Sequence, residues 1–294
     1  TNGYELTLER RDGSWVAPQH GDYPIPDDKV NLLVSQLAGL RAWEPKTQDP
    51  ELYTRIGVED VAPEASSSRV VVSADGDEPV ADVLVGRSAA SIGARPSGGL
   101  FVRQPDEAQS WLAAGRVTIP QSIGEWLGTV VHVRAPDIRK IDVLAGERLL
   151  ATAEKPTGEP NYQLSFLDPG ILASGATAKD EGFKSMTRVV VTTTALEVTA
   201  AENLTFAPDA RRVVFETEAG MRIEARVGTL DGEDWVAFAV SATGGGEGQA
   251  AAEEMAARVN GRAFQLDDSR MSALMTPMGD LVQLPTLQPE ASAQ

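Results

Sequence analysis

RVVVSADGDEPVADVLVGRSAASIGARPSGGLFVR, residues 69–103, has a degenerate second copy in RVVFETEAGMRIEARVGTLDGEDWVAFAV, residues 212–240. Each copy opens with arginine and three β-branched or aromatic residues: Val70, Val71 and Val72 in one, Val213, Val214 and Phe215 in the other. Side chains of this kind suit a pleated, half-buried surface. A turn follows in each (Asp75-Gly76; Ala219-Gly220), then an alternating run ending in Val-Gly (Val85-Gly86; Val227-Gly228), then a third run (Leu100–Val102; Trp235–Val240). Two three-stranded β-meanders related by internal duplication are predicted. In the first, Ser88–Gly99 reads as a mobile hairpin loop rich in Gly, Ser and Ala.

The flanks of the first meander supply a helix. Glu5–Arg10 alternates as a half-buried strand does, Asp12-Gly13 is a hairpin turn signal, and Trp15-Val16 begins a return strand. Pro24-Ile25-Pro26 enters a helix whose first turn holds Asp27 and Asp28, where carboxylates meet free amides and the positive dipole end. Val30, Leu33, Val34, Leu37 and Leu40 recur at helical spacing, which predicts one face packed on a sheet; Gly39 and Pro45 mark the end. Asp106–Ala114 reads as a short helix, and Ile123–Val133 as packing between the two halves.

The second unit is read in the same terms. Ile138–Val143, Arg148–Ala153 and Asn161–Phe166 are expected strands. Phe183, Met186 and Val190 predict a helix over Asp180–Ala195, against the β-branched run Val189–Thr194. Gly244–Gly248 reads as a flexible linker, Ala250–Val259 as a helix, Arg262–Leu266 as a strand, Asp268–Met275 as a helical turn and Leu284–Gln294 as a disordered tail. The predicted fold class is α+β: two tandem repeats of antiparallel sheet with one packed helix each, plus a small C-terminal α/β tail. Its divisions are a first repeat at 1–104, a connecting segment at 105–137, a second repeat at 138–243 and the linker, helix, strand and tail at 244–294. Gly146 and Leu149 correspond to Gly3 and Leu6, so Ile138–Val143 has no counterpart; one more strand is expected before Thr1, with an unfilled sheet edge in the first half.

Composition narrows the functional classes. A hydrophobic fraction of 42% over 294 residues is enough for a real core. A formal charge of -17, from 43 acidic and 26 basic residues, repels phosphates and makes nucleic acid and anionic lipid poor partners. The absence of cysteine removes disulfides, thiolate metal sites and cysteine nucleophiles. No apolar run reaches the roughly 18 residues of a membrane span. The first residue is Thr1 rather than Met, so removal of an upstream segment is expected.

Nothing in the sequence assembles a catalytic motif. His20 lies in a polar turn, QHGDY, and His132 alternates in a strand, VVHVR. A hydrolase triad needs a histidine within reach of a nucleophile and oriented by a carboxylate; there is no G-x-S-x-G elbow and no H-E-x-x-H pair of zinc ligands. Asp231-Gly232-Glu233-Asp234 lacks the spacing of a calcium loop and reads as a solvated hairpin turn. Asp27-Asp28 and Asp267-Asp268 read as helix N-terminal acids, and Gly244–Gly248 has no phosphate-loop lysine. Trp15, Trp43, Trp111, Trp126 and Trp235 read as core or interface anchors, with sugar stacking as the rival use. No catalytic, cofactor-binding or metal-ligating residue is assigned.

Ser14-Trp15-Val16, Tyr23-Pro24, Lys29-Val30, Leu32-Leu33 and Leu37–Leu40 together resemble a bacterial family named domain of unknown function 4340. The resemblance continues through Glu44-Pro45-Lys46-Thr47, Asp49-Pro50, Tyr53, Gly57-Val58, Val85-Gly86, Phe101-Val102-Arg103, Ser110-Trp111-Leu112, Asn260–Phe264 and Asp280-Leu281-Val282. It implies a protein held by an N-terminal membrane helix on the extracytoplasmic (periplasmic) side, often encoded beside an ABC transporter of the gliding-motility type and its auxiliary subunit. The expected function is then a non-enzymatic accessory or scaffold protein of an envelope complex, without a cofactor, its partners being the permease or auxiliary subunit. Two rivals stay open: an envelope glycan- or polymer-binding module, which would cluster exposed tryptophans in a groove, and a hydrolase using two facing carboxylates.

Overall fold

The computed structural model describes residues 4–74, 78–90, 98–170, 175–243 and 247–284. The chain is α+β, with antiparallel sheets and short helices. It divides into two compact units, Thr1–Val16 with Ile25–Trp126, and Ala17–Pro24 with Leu127–Gln294. The expected turn Asp75-Gly76, most of the loop Ser88–Gly99 and nearly all of the tail Leu284–Gln294 lie outside the described residues.

The first unit is built on a five-stranded sheet in the order Arg41–Pro45, Ser110–Ala114, Gly99–Arg103, Pro79–Ala89, Ser68–Ser73. Its last three strands are the predicted meander, with Val70 opposite Val83 and Val85 opposite Val102. Gly86 sits where this sheet is crossed by the segment before it. A Cβ there would lie 2.5 Å from the Ile56 carbonyl oxygen and 2.7 Å from that of Gly57, closer than real Cβ atoms come. The second run was expected to end at Val85-Gly86, but the strand continues to Ala89, and the Val-Gly step inside it is a close-approach requirement.

The short helix expected over Asp106–Ala114 is replaced by the strand Ser110–Ala114. Arg103 supplies the reason. Only 4% exposed, its guanidinium donates to the carbonyls of Val58 (2.9 Å), Pro105 (2.9 Å) and Glu107 (3.2 Å) and to Asp60. Its plane lies 4.5 Å from the Tyr53 ring centroid, and the Tyr53 hydroxyl donates to the Ala108 carbonyl at 2.6 Å. Carbonyls that an α-helix would use internally are taken by side chains, and Ser110 N–H bonds the Thr47 carbonyl instead. The segment expected to connect the repeats, 105–137, therefore contributes a strand to the first unit's sheet.

The predicted first helix runs Asp27–Ala38, with Asp27 and Asp28 in its first turn and Gly39 at its C-cap. It is anchored by Lys29, which donates to the Glu125 carbonyl, and by Gln36, which accepts from the Thr118 N–H. The strand expected over Glu5–Arg10 pairs only from Glu9 onward: Glu9–Arg11 faces Ser14–Ala17 through a turn with positive φ at Asp12 and Gly13.

The second unit carries an eight-stranded sheet ordered Gln163–Leu167, Arg148–Glu154, Ile138–Ala145, Arg211–Thr217, Met221–Leu230, Glu233–Ala242, Arg262–Gln265, Glu197–Ala200. Register puts Ile141, Phe215 and Ile223 in one cross-strand row and Val143, Val213 and Ala225 in the next. All six are fully buried, and the larger ones each stabilise by about 1.5–3 kcal/mol. The opposite face is a charge ladder: Lys140 lies 3.2 Å from Asp142 and 3.7 Å from Glu216, and Arg212 lies 2.6 Å from Glu224.

The helix expected over Asp180–Ala195 stops at Met186, passes through a 3-10 turn at Thr187–Val189 and gives way to the strand Thr193–Thr194 paired with Thr129–Val131. Threonine hydroxyls redirect the backbone here: Thr187 donates to the Lys184 carbonyl and Thr193 to the Val189 carbonyl, both at 2.7 Å. Of the expected linker Gly244–Gly248, residues 244–246 lie outside the described residues, while Glu247 opens a helix running to Val259 that packs on Glu233–Ala242. Gly248 is buried in that helix, and a Cβ there would lie 2.2 Å from the Ala219 carbonyl oxygen, so the close passage requires glycine.

Residues Ala17–Pro24 form a strap in the second unit. Tyr23 meets Phe264 edge-on at 5.9 Å between ring centroids, and Arg262 donates to the carbonyls of Gly21 (2.9 Å) and Asp22 (3.0 Å). Gly86→Ala is expected to destabilise the first unit by about 1–3 kcal/mol through forced separation of the crossing segments. Urea unfolding followed by tryptophan fluorescence checks this, and an unchanged midpoint would contradict the close-approach account.

Candidate interaction surface

The residues singled out in the sequence are dispersed. His132 is exposed, one residue beyond its strand, and its Nδ1 lies 2.9 Å from the Thr192 hydroxyl. His20 ends the 3-10 turn Pro18–His20, its Nδ1 2.8 Å from a Glu197 carboxylate oxygen. Asp231 and Gly232 form a two-residue hairpin turn with positive φ at both positions. Asp267 accepts from the Arg270 N–H and caps the helix Asp268–Leu274. Among the described residues no group of three His, Cys, Asp or Glu side chains could hold a metal ion.

Tryptophans follow the same dispersal. Trp126 and Trp235 are buried and Trp15 and Trp111 half-buried, whereas Trp43 is 51% exposed. Trp235 packs with Leu204 and Ala263 as a core anchor. An open depression of about 300 Å³ is lined by Tyr162, Gln163, Leu164, Ala176, Thr177 and Ala178. Its one titratable group is Tyr162, whose hydroxyl donates to the Ile138 carbonyl at 3.1 Å. Burial holds that phenol above its ordinary range. Among the described residues the other polar side chains of the lining are those of Gln163 and Thr177.

The two large sheets end in four edge strands, and three of them are protected. Arg41–Pro45 has Pro45 and a bulge, its register shifting between Ala42 and Glu44. Glu197–Ala200 is covered by the strap, where a Cβ on Gly21 would lie 3.0 Å from the Ala200 nitrogen. Gln163–Leu167 lies against the short strand Thr177–Ala178. Ser68–Ser73 differs: among the described residues its one strand neighbour is Pro79–Ala89, it contains no proline, and its single charge is neutralised. Arg69 donates to both oxygens of Asp82, at 2.8 and 2.5 Å, which holds that carboxyl below the usual range. Val71 on this strand is 50% exposed, and Val80, extruded by the bulge beside it, 72%. The candidate surface is this open, apolar edge. The sequence signal for it was the run RVVVS, with neither Pro nor Lys to block pairing.

One titration is built into the strap. The hydrogen bond to Glu197 raises the His20 pKa above 6.5, against the opposing effect of burial. A raised folded-state value contributes stability that is complete below the unfolded value and is lost as pH rises through the folded one. Second-unit stability is therefore expected to fall as pH rises above 6.5, and His20→Gln to flatten that fall. Urea unfolding from about pH 5.5 to about pH 9 checks it; a difference between the two proteins that does not narrow with rising pH would sink the assignment.

No family model matches the chain, and no curated protein or solved structure matches it either.

Proposed function

We propose that this chain is a non-enzymatic accessory protein on the extracytoplasmic face of the bacterial cytoplasmic membrane, tethered by an N-terminal helix and acting by binding protein partners. The partners in this reading are the permease or auxiliary subunit of an ABC-transporter-associated envelope complex, as the resemblance to domain of unknown function 4340 implies. The observation that carries the binding role is the unprotected edge Ser68–Ser73, with Val71 and Val80 turned to solvent. An open strand edge is a surface for backbone pairing with another segment.

The tandem duplication belongs to the same reading, and three correspondences support it. The first strand of each meander pairs with the second in the same relative register, Val71 opposite Asp82 and Val214 opposite Glu224. Each meander ties its opening arginine to that acid, Arg69 to Asp82 and Arg212 to Glu224. Each has a Val-Gly step under a crossing segment: a Cβ on Gly228 would lie 2.8 Å from the Phe206 ring, as one on Gly86 would meet Ile56. The helix Glu247–Val259 and strand Arg262–Gln265 form the C-terminal addition to the second repeat.

Crosslinking of the tethered protein in its native host, followed by mass spectrometry, tests the role. Enrichment of a permease or its auxiliary subunit over an unrelated tethered control is the expected result. Recovery of envelope polymer alone would move the chain to the glycan-binding class, and no enrichment would remove the transporter link.

A further inference from the structure

We infer that Lys155 is a nucleophilic amine that accepts acyl groups from thioesters, which makes it a covalent modification site on the second unit. The inference does not depend on the transporter role. Lys155 follows the strand Arg148–Glu154, and its backbone N–H donates to the Arg139 carbonyl at 2.9 Å. The residue is half-buried. Its Nζ lies 4.6 Å from the Tyr162 ring centroid and donates to the Ala135 carbonyl at 3.2 Å; among the described residues no carboxylate pairs with it. Lys46, Lys140 and Lys184 differ: Glu44 lies 2.9 Å from the first, Asp142 3.2 Å from the second, and Asp180 is paired with the third. Lys29 and Lys179 end on main-chain carbonyls, of Glu125 and Gly279, as Lys155 does, so what sets Lys155 apart is its surroundings.

Two cations, Arg139 and Lys184, act on Lys155, and the acids around it are committed to other partners. Asp180 holds Lys184 and accepts from the Tyr162 N–H at 2.7 Å. Asp137 accepts from Arg134 at 2.8 and 2.9 Å. Glu218 lies 2.8 Å from Arg139. An ammonium carries three donors, and this one meets a single carbonyl and an aromatic face. Burial, with Arg139 beside it, lowers the Lys155 pKa; Lys184 adds to the effect, and Asp180 and Asp137 oppose it. The neutral amine is satisfied by one carbonyl and keeps its lone pair for attack. A lysine desolvated beside another cation is activated in this way.

The step balances with a thioester as acyl donor. Lys155 gives one proton to water, its nitrogen attacks the carbonyl carbon, and a C–N bond forms as the C–S bond breaks. Sulfur leaves with the bonding pair and takes a second proton from the nitrogen, giving a thiol and an acyl-lysine amide. Acylation removes a positive charge. At Lys155 that charge stands against Arg139 and Lys184, so its loss breaks no ion pair. At Lys140 the same change would break contacts to Asp142 and Glu216, and at Lys184 contacts to Asp180 and Glu181.

Competitive labelling tests this on the intact chain. The folded protein meets a trace of S-acetyl-N-acetylcysteamine at a series of pH values, is then unfolded and fully acetylated with deuterated anhydride, and the share at each lysine is read by peptide mass spectrometry. Against the effect of burial, the hydrogen bond to Asp142 raises the Lys140 pKa, and the one to Asp180 raises that of Lys184. Lys155 is therefore expected to react about threefold or more faster than Lys140 and Lys184 at about pH 7.5, with a pH profile that rises earlier than theirs. Arg139→Gln should move the Lys155 profile to higher pH and slow its labelling while that of Lys46 is unchanged, which a merely structural lysine would not show. Lys155→Gln, whose neutral amide stands in for acyl-lysine, should keep the melting temperature of the unmodified chain. Labelling of Lys155 no faster than that of Lys140 and Lys184, with coincident profiles, would mean that the Tyr162 ring and the Ala135 carbonyl hold the ammonium, and overturns the proposal. A lower melting temperature in Lys155→Gln makes the cation structural and overturns it as well.

Discussion

Backbone N–H and C=O groups on the outer strand of a sheet need partners, and much of this structure is arranged around that need. The second unit meets it with covering elements: a strap from near the N-terminus over Glu197–Ala200, and the short strand Thr177–Ala178 beside Gln163–Leu167. The first unit meets it on one side with Pro45 and the Trp43 bulge. On the other side, among the described residues, the sheet stops at Ser68–Ser73.

Buried polar groups decide the irregular parts. Arg103 draws the loop after Val58 and the loop after Gln104 onto one guanidinium, with Tyr53 stacked against it. A buried cation with all three of its nitrogens engaged fixes its surroundings because any rearrangement strands several groups at once. In the second unit, threonine hydroxyls end a helix that the apolar stripe would have continued. On the exposed sheet face, alternating charges satisfy one another across strands, and each such pair contributes little alone.

What could be read from the sequence follows from the range of each cause. The two meanders, the Asp12-Gly13 turn and the helix over Asp27–Ala38 rest on local periodicity and turn chemistry, and they appear where the residues place them. The strand Ser110–Ala114 was not legible, because its selection depends on Arg103 and Thr47, contacts made across the fold. Gly248 read as linker because a glycine beside other glycines signals flexibility, whereas its use is a close passage by Ala219. The open edge was legible only indirectly, in the run RVVVS, which has neither Pro nor Lys to block pairing.

The strap has a bearing on how the polypeptide acquires its form. Residues Ala17–Pro24 are synthesised before the whole of Ile25–Trp126, yet their binding site on Glu197–Ala200 and Arg262–Gln265 emerges from the ribosome only after it. Tyr23, an aromatic side chain destined for complete burial, must wait through the synthesis of that whole segment without its pocket. The first unit can mature before the strap closes, and neither unit corresponds to one uninterrupted piece of gene. Folding in the order of synthesis has to reach back here to a segment made long before its binding site.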